Sequence, residues 1–425
     1  MRRGVRVVAL AATLAFVALA GWRIVGQLQA ERLANADPER ALQAHPGDPD
    51  ALWALAEQQL AQGERAAAAA TARTLLAREP LQGRAFRLLA QIEEHTGHDP
   101  QARRLYAIAA QRAPRDSEAI SGLVRLALRS EDFPEALRWI DFYLRTSPDR
   151  AAANARLLPQ LAPLARDGRF ASALVATLRQ NPPWREQMLR VLWTSRAAAD
   201  RVYGQLDEEH ALSPEEFAGW IDALIGQGDW DEAHTRWVAR TPGAESHRLR
   251  VYNGDFRREP SGAGFDWRLR VAGVASVDFA AAGAGTGGRV MHLRFFDQPV
   301  RGAVLEHPLR LPPGAYAVRL RLRARGLHSA GGLQWQLVCP SRLGAIATGE
   351  PLVGSFDWIE PSLTVQVPQA DCPGQWLRLN TLSHGGKGLR MAGELWIDAV
   401  RIEPATMAPP TRPAPNPVQS PVQTP

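Results

Sequence analysis

Apolar and polar residues alternate at the spacing of amphipathic helices over roughly the first 240 residues, and the pattern itself recurs every 34 residues. Four prolines mark the intervals: Pro46, Pro80, Pro114 and Pro148. Because proline lacks an N–H and fixes φ, each is expected to follow the second helix of a helical hairpin. A fixed period of this length predicts a stack of helical hairpins.

Residues 47–148 resemble the tetratricopeptide family, in which each repeat is a pair of antiparallel helices. Gly63 and Gly97 stand at the turn inside the hairpin, and Glu131 stands at the equivalent place one period later. Small residues recur where paired helices approach closely, at Ala56, Ala90, Ala68, Ala102 and Ala136. The resemblance implies a solenoid with a concave groove lined by the first helix of each repeat.

The same pattern returns near the end of the helical part, where residues 214–247 carry aromatic, small and proline residues in phase. Between the two stretches, residues 149–212 are helical in composition but out of phase, and they predict one degenerate unit. Asp37–Ala44 predicts a half-unit cap in front. We therefore expect five or six hairpins in a domain spanning residues 31–248.

The N-terminal segment 1–30 combines three arginines with an apolar run that begins at Val7. One interpretation is an uncleaved membrane anchor, since apolar residues continue beyond Ala20. The other is a signal peptide, because Ala18 and Ala20 satisfy the small-x-small cleavage rule. Positive charge before the apolar run places the N-terminus in the cytoplasm and the remainder outside it. In a bacterium, both interpretations place the body of the protein in the periplasm, and the uncleaved anchor would also hold it at the inner membrane.

Short alternating runs between Gly and Pro residues replace the helical pattern beyond about residue 248. Tyr316, Val318 and Leu320 begin one apolar face of the clearest run, and arginines occupy its other face. Such runs predict an antiparallel β-sandwich of the jelly-roll type over residues 249–405. The fold class is thus an all-α solenoid followed by a sandwich. The Pro-rich segment 406–425 predicts a disordered tail.

Both ends of the sandwich region resemble carbohydrate-binding modules of the galactose-binding-like type. The opening carries Asn253-Gly254-Asp255-Phe256, and the closing strand reads Leu395-Trp396-Ile397-Asp398-Ala399-Val400. The resemblance implies a jelly roll and a surface for sugar. In that family, acidic groups near these two ends often hold a structural calcium. Asp255 and Asp398 match those places only loosely, so no metal or other cofactor is expected.

The two cysteines of the chain, Cys339 and Cys372, both lie in the sandwich region. An oxidising compartment predicts a disulfide between them, and two buried free thiols are the alternative. Neither cysteine has a second cysteine or a histidine at the spacing of a zinc site.

The basic balance, +6 with a pI near 9.9, comes from arginines scattered through the helices. No nucleic-acid recognition motif accompanies the charge, so no nucleic-acid partner is expected. The sequence also lacks a nucleophile elbow, a phosphate-binding loop and a zinc-protease motif. It therefore predicts a binding protein rather than an enzyme.

Two surfaces are candidates for binding. Tetratricopeptide geometry implies groove-facing side chains that suit an extended peptide or an acidic polymer: Trp53, Glu57, Arg84, Arg87, Gln91, Glu118 and Arg125. On the sandwich, two tryptophans and one arginine stripe are candidates for contact with a glycan: Trp358, Trp376, Arg319, Arg321, Arg323 and Arg325. Alternation places Trp335 and Trp396 in the core instead. Four like charges along one strand repel each other unless solvent, acidic neighbours or an anionic ligand compensates them.

These features predict a membrane-tethered periplasmic adaptor that resembles accessory proteins of bacterial exopolysaccharide assembly. Its groove would hold a partner protein, and its sandwich would hold polysaccharide, an acidic one among the possibilities. One alternative is a purely structural envelope assembly factor in which both domains bind protein. A less favoured alternative is a glycan-active hydrolase or lyase.

Overall fold

The computed structural model describes residues 36–242, 251–281, 289–329, 331–382 and 388–405, so the expected anchor and tail lie outside the described residues. Thirteen helices precede eleven strands in this part of the chain. The helices are α1 Pro38–Ala44, α2 Pro49–Ala61, α3 Arg65–Arg78, α4 Gly83–His95, α5 Asp99–Arg112, α6 Ser117–Arg129, α7 Phe133–Thr146, α8 Arg150–Leu164, α9 Gly168–Leu178, α10 Arg185–Leu192, α11 Arg196–Glu208, α12 Pro214–Gln227 and α13 Trp230–Arg240. The predicted solenoid and sandwich are both confirmed.

The chain divides into two compact units, Met1–Ala211 and Leu212–Pro425. Helices α1 to α11 belong to the first unit. The last hairpin, α12 with α13, belongs to the second unit together with the sandwich. A boundary by packing therefore falls one hairpin earlier than the change in composition near residue 248.

The 34-residue period arises from the same start and stop signals in each of the first three hairpins. The first helices begin at Pro49, Gly83 and Ser117, and a proline follows each second helix. Two of the first helices are capped by an aspartate that accepts a backbone N–H, as Asp48 does from Ala51 at 2.9 Å. The alanines of the repeat are fully buried between the helices.

The turn inside each hairpin needs a residue with a positive φ. Gly63 and Gly97 adopt φ values of 83° and 81°, which glycine tolerates without a steric penalty. Glu131 adopts φ 55° at the equivalent position, where a side chain is disfavoured. The repeat geometry thus holds even where its preferred residue is missing.

Residues 149–212 fold as four helices, α8 to α11, where one degenerate unit would have two. Their helices have 15, 11, 8 and 13 residues, so no common period survives. The short α10 begins after Trp184, a fully buried ring whose N–H donates to Asp141 at 2.9 Å. The short helix and the missing proline period explain why sequence reasoning found only one unit here.

The sandwich consists of two antiparallel sheets. Its strands are β1 Arg268–Leu269, β2 Ala275–Ala281, β3 Arg289–Val300, β4 Ala303–Leu309, β5 Gly314–His328, β6 Leu333–Val338, β7 Ala345–Thr348, β8 Gly354–Ile359, β9 Ser362–Val367, β10 Gln375–Thr381 and β11 Leu389–Pro404. The five-stranded sheet has the order β1-β4-β10-β6-β7. The six-stranded sheet has the order β2-β3-β11-β5-β8, with β9 also paired to β5.

Alternating apolar residues of both sheets fill the space between them, and Phe256, Trp267 and Trp335 are the largest rings there. The expected core position of Trp335 is confirmed. The expected core position of Trp396 is wrong, because this ring is half-buried on the outer face of the six-stranded sheet. A register shift between Ile397 and Ala399 reverses the alternation within β11, so Trp396 and Val400 point to opposite faces.

The predicted disulfide between Cys339 and Cys372 is confirmed, with Cα atoms 5.1 Å apart. It joins the end of β6 to the segment that leads into β10. A covalent link across a loop of this length typically stabilises a fold by about 3–4 kcal/mol.

Candidate binding surfaces

Arg87 connects three successive first helices of the solenoid. Its side chain is only 9% exposed, and its guanidinium lies 5.1 Å from the centroid of the Trp53 ring. It forms ion pairs with Glu57 at 3.6 Å, with Asp116 at 3.0 Å, and with Glu118. Four of the predicted groove residues, Trp53, Glu57, Arg87 and Glu118, therefore lie together, and the charge of Arg87 is already matched by carboxylates of the protein.

Glu94 forms a second junction on the same side of the solenoid. Arg125 donates to it through two nitrogens at 2.7 and 2.8 Å, and Arg129 donates at 2.6 Å. These hydrogen bonds, above all those from Arg125, lower the pKa of Glu94 to about 2. Burial raises the pKa of Tyr106, whose hydroxyl also donates to Glu94 at 2.8 Å. Arg125, another predicted groove residue, thus holds α6 to α4.

Arg84 and Gln91 are the remaining predicted groove residues. Arg84 is exposed and Gln91 is half-buried, and both lie on α4. Since the other groove arginines already have carboxylate partners, the groove presents a nearly balanced charge. That balance favours a peptide backbone with polar side chains over a strongly acidic polymer.

The predicted arginine stripe lies on the outer face of the six-stranded sheet, as alternation predicts. Each arginine has an acidic neighbour, so the expected self-repulsion is compensated from within the protein. The ion pairs are Arg319 with Glu403 at 3.1 Å, Arg321 with Asp398 and with Glu360 at 3.7 Å, Arg323 with Asp357 at 3.6 Å, and Arg325 with Glu394 at 2.8 Å. An anionic ligand is not required to explain the stripe.

The aromatic rings beside this stripe also have partners. The guanidinium of Arg321 lies 4.8 Å from the ring centroid of Trp358. His292 stacks on Trp396 with centroids 4.4 Å apart and nearly parallel planes, and Arg323 lies 5.3 Å from the same ring. These contacts occupy ring surface that a sugar would need for stacking.

The outer face of the five-stranded sheet carries a row of polar side chains to which every strand contributes. In register across the sheet stand Arg268, Glu306, Arg378, Gln336 and Thr348. Glu306 forms an ion pair with Arg378 at 2.9 Å and accepts a hydrogen bond from Arg270 at 2.7 Å. We call these five residues, together with Gln334 and Asn380 beside them, the polar row.

Three amides of the polar row hold one another in place. Asn380 donates to Gln336 at 3.1 Å, Gln336 donates to Gln334 at 3.0 Å, and Gln334 donates to the carbonyl of Gly349 at 2.8 Å. The buried Oδ1 of Asn380 has no hydrogen-bond partner among the described residues. Sequence reasoning missed these amides, although the alternation Gln-Trp-Gln around Trp335 already placed two of them on the outer face.

Trp376, the other predicted glycan contact, lies beside the polar row and against the last hairpin. The ring of Trp230 on α13 meets it edge-on at 5.6 Å, and Arg268 lies 4.8 Å from its centroid. Gly374 allows this approach, because a Cβ there would overlap Trp230. Trp376 is thus a packing residue of the second unit, half-buried at one border of the polar row.

Asp222 of α12 ties the hairpin to the start of the sandwich. It accepts from Arg268 at 2.7 Å and from the backbone N–H of Gly264 at 2.8 Å. Burial raises the pKa of Asp222 and lowers that of Arg268, while their mutual attraction opposes both shifts. The Asp222–Arg268 ion pair is therefore partly desolvated, and it connects α12 to the sandwich within the second unit.

The two loosely matched calcium candidates have other partners. Asp398 is buried and pairs with Arg321, and Asp255 pairs with Arg257 at 2.9 Å. Asp255 borders a cavity of about 580 Å³ that also includes Arg401 and Glu403. Within the described ranges, no group of three or more His, Cys, Asp or Glu residues is arranged to hold a metal ion. In the same part of the chain, no helix has the length and apolar character to cross a membrane.

No protein-family profile and no curated protein matches this chain. Solved structures of two kinds are similar to parts of it. YrrB, described as a tetratricopeptide protein with an unusual peptide-binding site, is 12% identical over 50% of this chain and 95% of its own, with a TM-score of 0.28. PilF of Pseudomonas aeruginosa is 16% identical over 53% of this chain and 92% of its own, with a TM-score of 0.28.

The second kind of neighbour is a carbohydrate-binding module. The CBM22-1 xylan-binding domain of Paenibacillus barcinonensis Xyn10C is 12% identical, over 37% of this chain and 96% of its own, with a TM-score of 0.26. All three TM-scores are low. The fold therefore rests on the chain's own helices and strands, and any ligand is a matter for proposal.

Proposed function

We propose that the protein is a non-catalytic, membrane-tethered periplasmic adaptor in exopolysaccharide or envelope-glycan assembly. Its solenoid groove binds a segment of a partner protein, and its sandwich binds polysaccharide. The observation that supports the glycan site is the polar row, where three half-buried amides are fixed by hydrogen bonds and the Arg378 guanidinium by an ion pair with Glu306 on one sheet face.

Fixed amides suit sugar recognition because each one offers both a donor and an acceptor to neighbouring hydroxyl groups. Side chains already ordered by their neighbours also lose little conformational entropy on binding. The arginine stripe lacks this order, since Arg319 and Arg325 are 61% and 68% exposed. We therefore assign polysaccharide to the five-stranded sheet and not to the stripe.

Affinity electrophoresis of the full chain through gels that contain neutral or acidic polysaccharides tests this assignment. The double variant Gln336→Ala/Asn380→Ala should lose retention, because it removes the middle of the amide chain. The matched control Arg323→Ala on the other sheet should keep it. Retention lost only in the control would move the site to the stripe, and no retention on any polysaccharide would end the glycan half of the proposal.

The proposed partner-binding site in the groove is tested at Arg84 and Gln91, because these residues do not connect one repeat to the next. Arg84→Ala combined with Gln91→Ala should weaken capture of the partner from envelope extracts at least tenfold. Arg73→Ala, an exposed arginine on the second helix α3, is the control and should leave capture unchanged. Equal capture by wild type and double variant would refute a groove site on α4.

A purely structural assembly role is the second candidate. It is favoured by the partnered state of three outer tryptophans, Trp358, Trp376 and Trp396, whose rings each contact a cationic or aromatic side chain. Under this alternative, the polar-row variant would change capture of a protein partner and no polysaccharide would retard the chain.

The periplasmic location is supported by the disulfide, because such bonds persist in oxidising compartments. Protease added to spheroplasts should digest the full-length protein, and detergent should be needed to release it from membranes. A protein that resists protease until the cells are lysed would contradict the location.

A further inference from the structure

Another cavity in the second unit borders the polar row at Gly349, whose carbonyl accepts from Gln334, but includes no side chain of that row. It has a volume of about 270 Å³ and opens at the side of the sandwich near β8, under the segment Gly349–Val353. Its lining is mainly apolar: Leu320, Trp335, Pro351, Leu352, Val353, Phe356, Ile359, Pro361 and Leu363, with Gly349, Glu350 and Ser362. We call it the edge pocket.

The edge pocket reaches from solvent into the core. Leu320, Leu352 and Leu363 are at most 6% exposed, whereas Val353 and Ile359 are 52% and 38% exposed. Large apolar side chains exposed to this degree are costly unless something covers them. The mouth of the pocket therefore exposes apolar surface that continues into the core.

Trp335 is one of the lining residues, and its indole carries a buried hydrogen-bond donor. Its side chain is almost fully buried, and its indole N–H has no hydrogen-bond partner among the described residues. The neighbouring core tryptophan, Trp267, donates its own N–H to the carbonyl of Asn253 at 3.0 Å. A buried donor without a partner has lost its hydrogen bond to water without compensation, so an acceptor delivered by a ligand would be favoured.

We propose that the edge pocket binds an uncharged alkyl or aryl group that carries one hydrogen-bond acceptor, such as a carbonyl or ether oxygen. The acceptor meets the Trp335 N–H, and the hydrocarbon fills the space between the leucines. Its size is adequate, because an apolar cavity of about 150 Å³ in another protein holds benzene. Glu350 in the lining disfavours a ligand with a negative charge.

The proposal is independent of the glycan site, since the two sites share no side chain. The test uses the full chain labelled with ¹⁵N at its tryptophan indoles, and the variant Trp335→Phe assigns the Trp335 signal. Titration with 2-heptanone, a soluble ketone, should shift this signal saturably. Dihexanoylphosphatidylcholine below its micelle concentration serves as a second probe, to tell a lipid chain from a free small molecule.

The variant Ile359→Trp narrows the mouth and should weaken the ketone at least fivefold, while retention by polysaccharide stays unchanged. Glu350→Gln should leave the ketone affinity within twofold. The proposal would be overturned if neither probe changes the chemical shift of the Trp335 indole. Equal affinity of wild type and Ile359→Trp for the ketone would also overturn it. A shift with the ketone alone identifies a small-molecule site, and a shift with the lipid as well identifies an acyl-chain site.

Discussion

The first three hairpins and the last one share the same repeat residues but pack on different surfaces. Helices α2 to α7 bury alanines and Tyr106 against neighbouring hairpins. In the second unit, α13 turns Trp230 and Trp237 toward Phe265 of the sandwich, with ring centroids 6.1 and 5.6 Å away. The repeat residues thus determine that a hairpin forms, whereas large aromatic residues such as Trp230 and Trp237 determine what that hairpin packs against.

The largest expected effect comes from removing the ring that joins hairpin and sandwich. Trp230→Ala should destabilise the second unit by about 3–5 kcal/mol, because it empties a fully buried aromatic site. Hydrogen exchange during urea denaturation can follow each unit separately. Trp139→Ala, at a half-buried ring of α7, is the control and should cost less. If the hydrogen-exchange protection of β10 is unchanged in the Trp230 variant, the last hairpin and the sandwich do not unfold as one unit.

Arg87→Ala should be the most damaging change among the groove arginines. It leaves Asp116, whose side chain is 13% exposed, without its cation and opens space beside Trp53. Because Glu57 and Glu118 are largely exposed, we expect about 2 kcal/mol, below the range for fully buried pairs. Urea denaturation measures the loss. Arg84→Ala should change the free energy of unfolding by less than about 0.5 kcal/mol. Equal losses in the two variants would show that Arg87 does not stabilise the contact between the first helices.

Acid should weaken the solenoid through Glu94. Its pKa is lowered to about 2 from an ordinary 4.5, so its contribution is complete above pH 4.5 and disappears as the pH falls towards 2. Allowing for screening by solvent, the contribution is of the order of 1–2 kcal/mol. The stability gap between wild type and Glu94→Gln should therefore close across this interval. A gap that stays constant from pH 5 to pH 2 would rule the linkage out.

The smallest expected effect is a gain. Glu131→Gly should stabilise the third hairpin by about 0.5–1 kcal/mol, because glycine accepts the positive φ at this turn. The exposed ion pair of Glu131 with Arg169 offsets only part of that gain. Thermal denaturation measures the change. Gly97→Ala makes the reverse comparison and should lower the melting temperature.

The regular features could be read from the sequence because each rests on local signals. Prolines, turn glycines and buried alanines recur in register, so the first three hairpins were predictable residue by residue. Alternation in β5 likewise placed its apolar face and its arginines correctly. The disulfide could be predicted because the chain has only two cysteines, both in the sandwich region, and an oxidising compartment was expected.

The remaining features depend on partners that lie far away along the chain. Ion pairs between different hairpins occupy Arg87 and Arg125, and a register shift in β11 turns Trp396 outward. The polar row brings together residues from five strands, with Arg268 and Arg378 more than a hundred positions apart. No local pattern reports such neighbours, which is why sequence reasoning named arginines and tryptophans and overlooked the amides.

The last strand of the sandwich lies in the middle of its sheet, since β11 pairs with β3 on one side and β5 on the other. A chain that is synthesised from its N-terminus can complete each helical hairpin as soon as that hairpin emerges. The six-stranded sheet, by contrast, must wait with exposed strand edges until Leu389–Pro404 has been made. Both cysteines emerge earlier, so their link can hold one sheet together while the other is still open. Holdase chaperones are therefore of most use to this protein in the last moments of its synthesis.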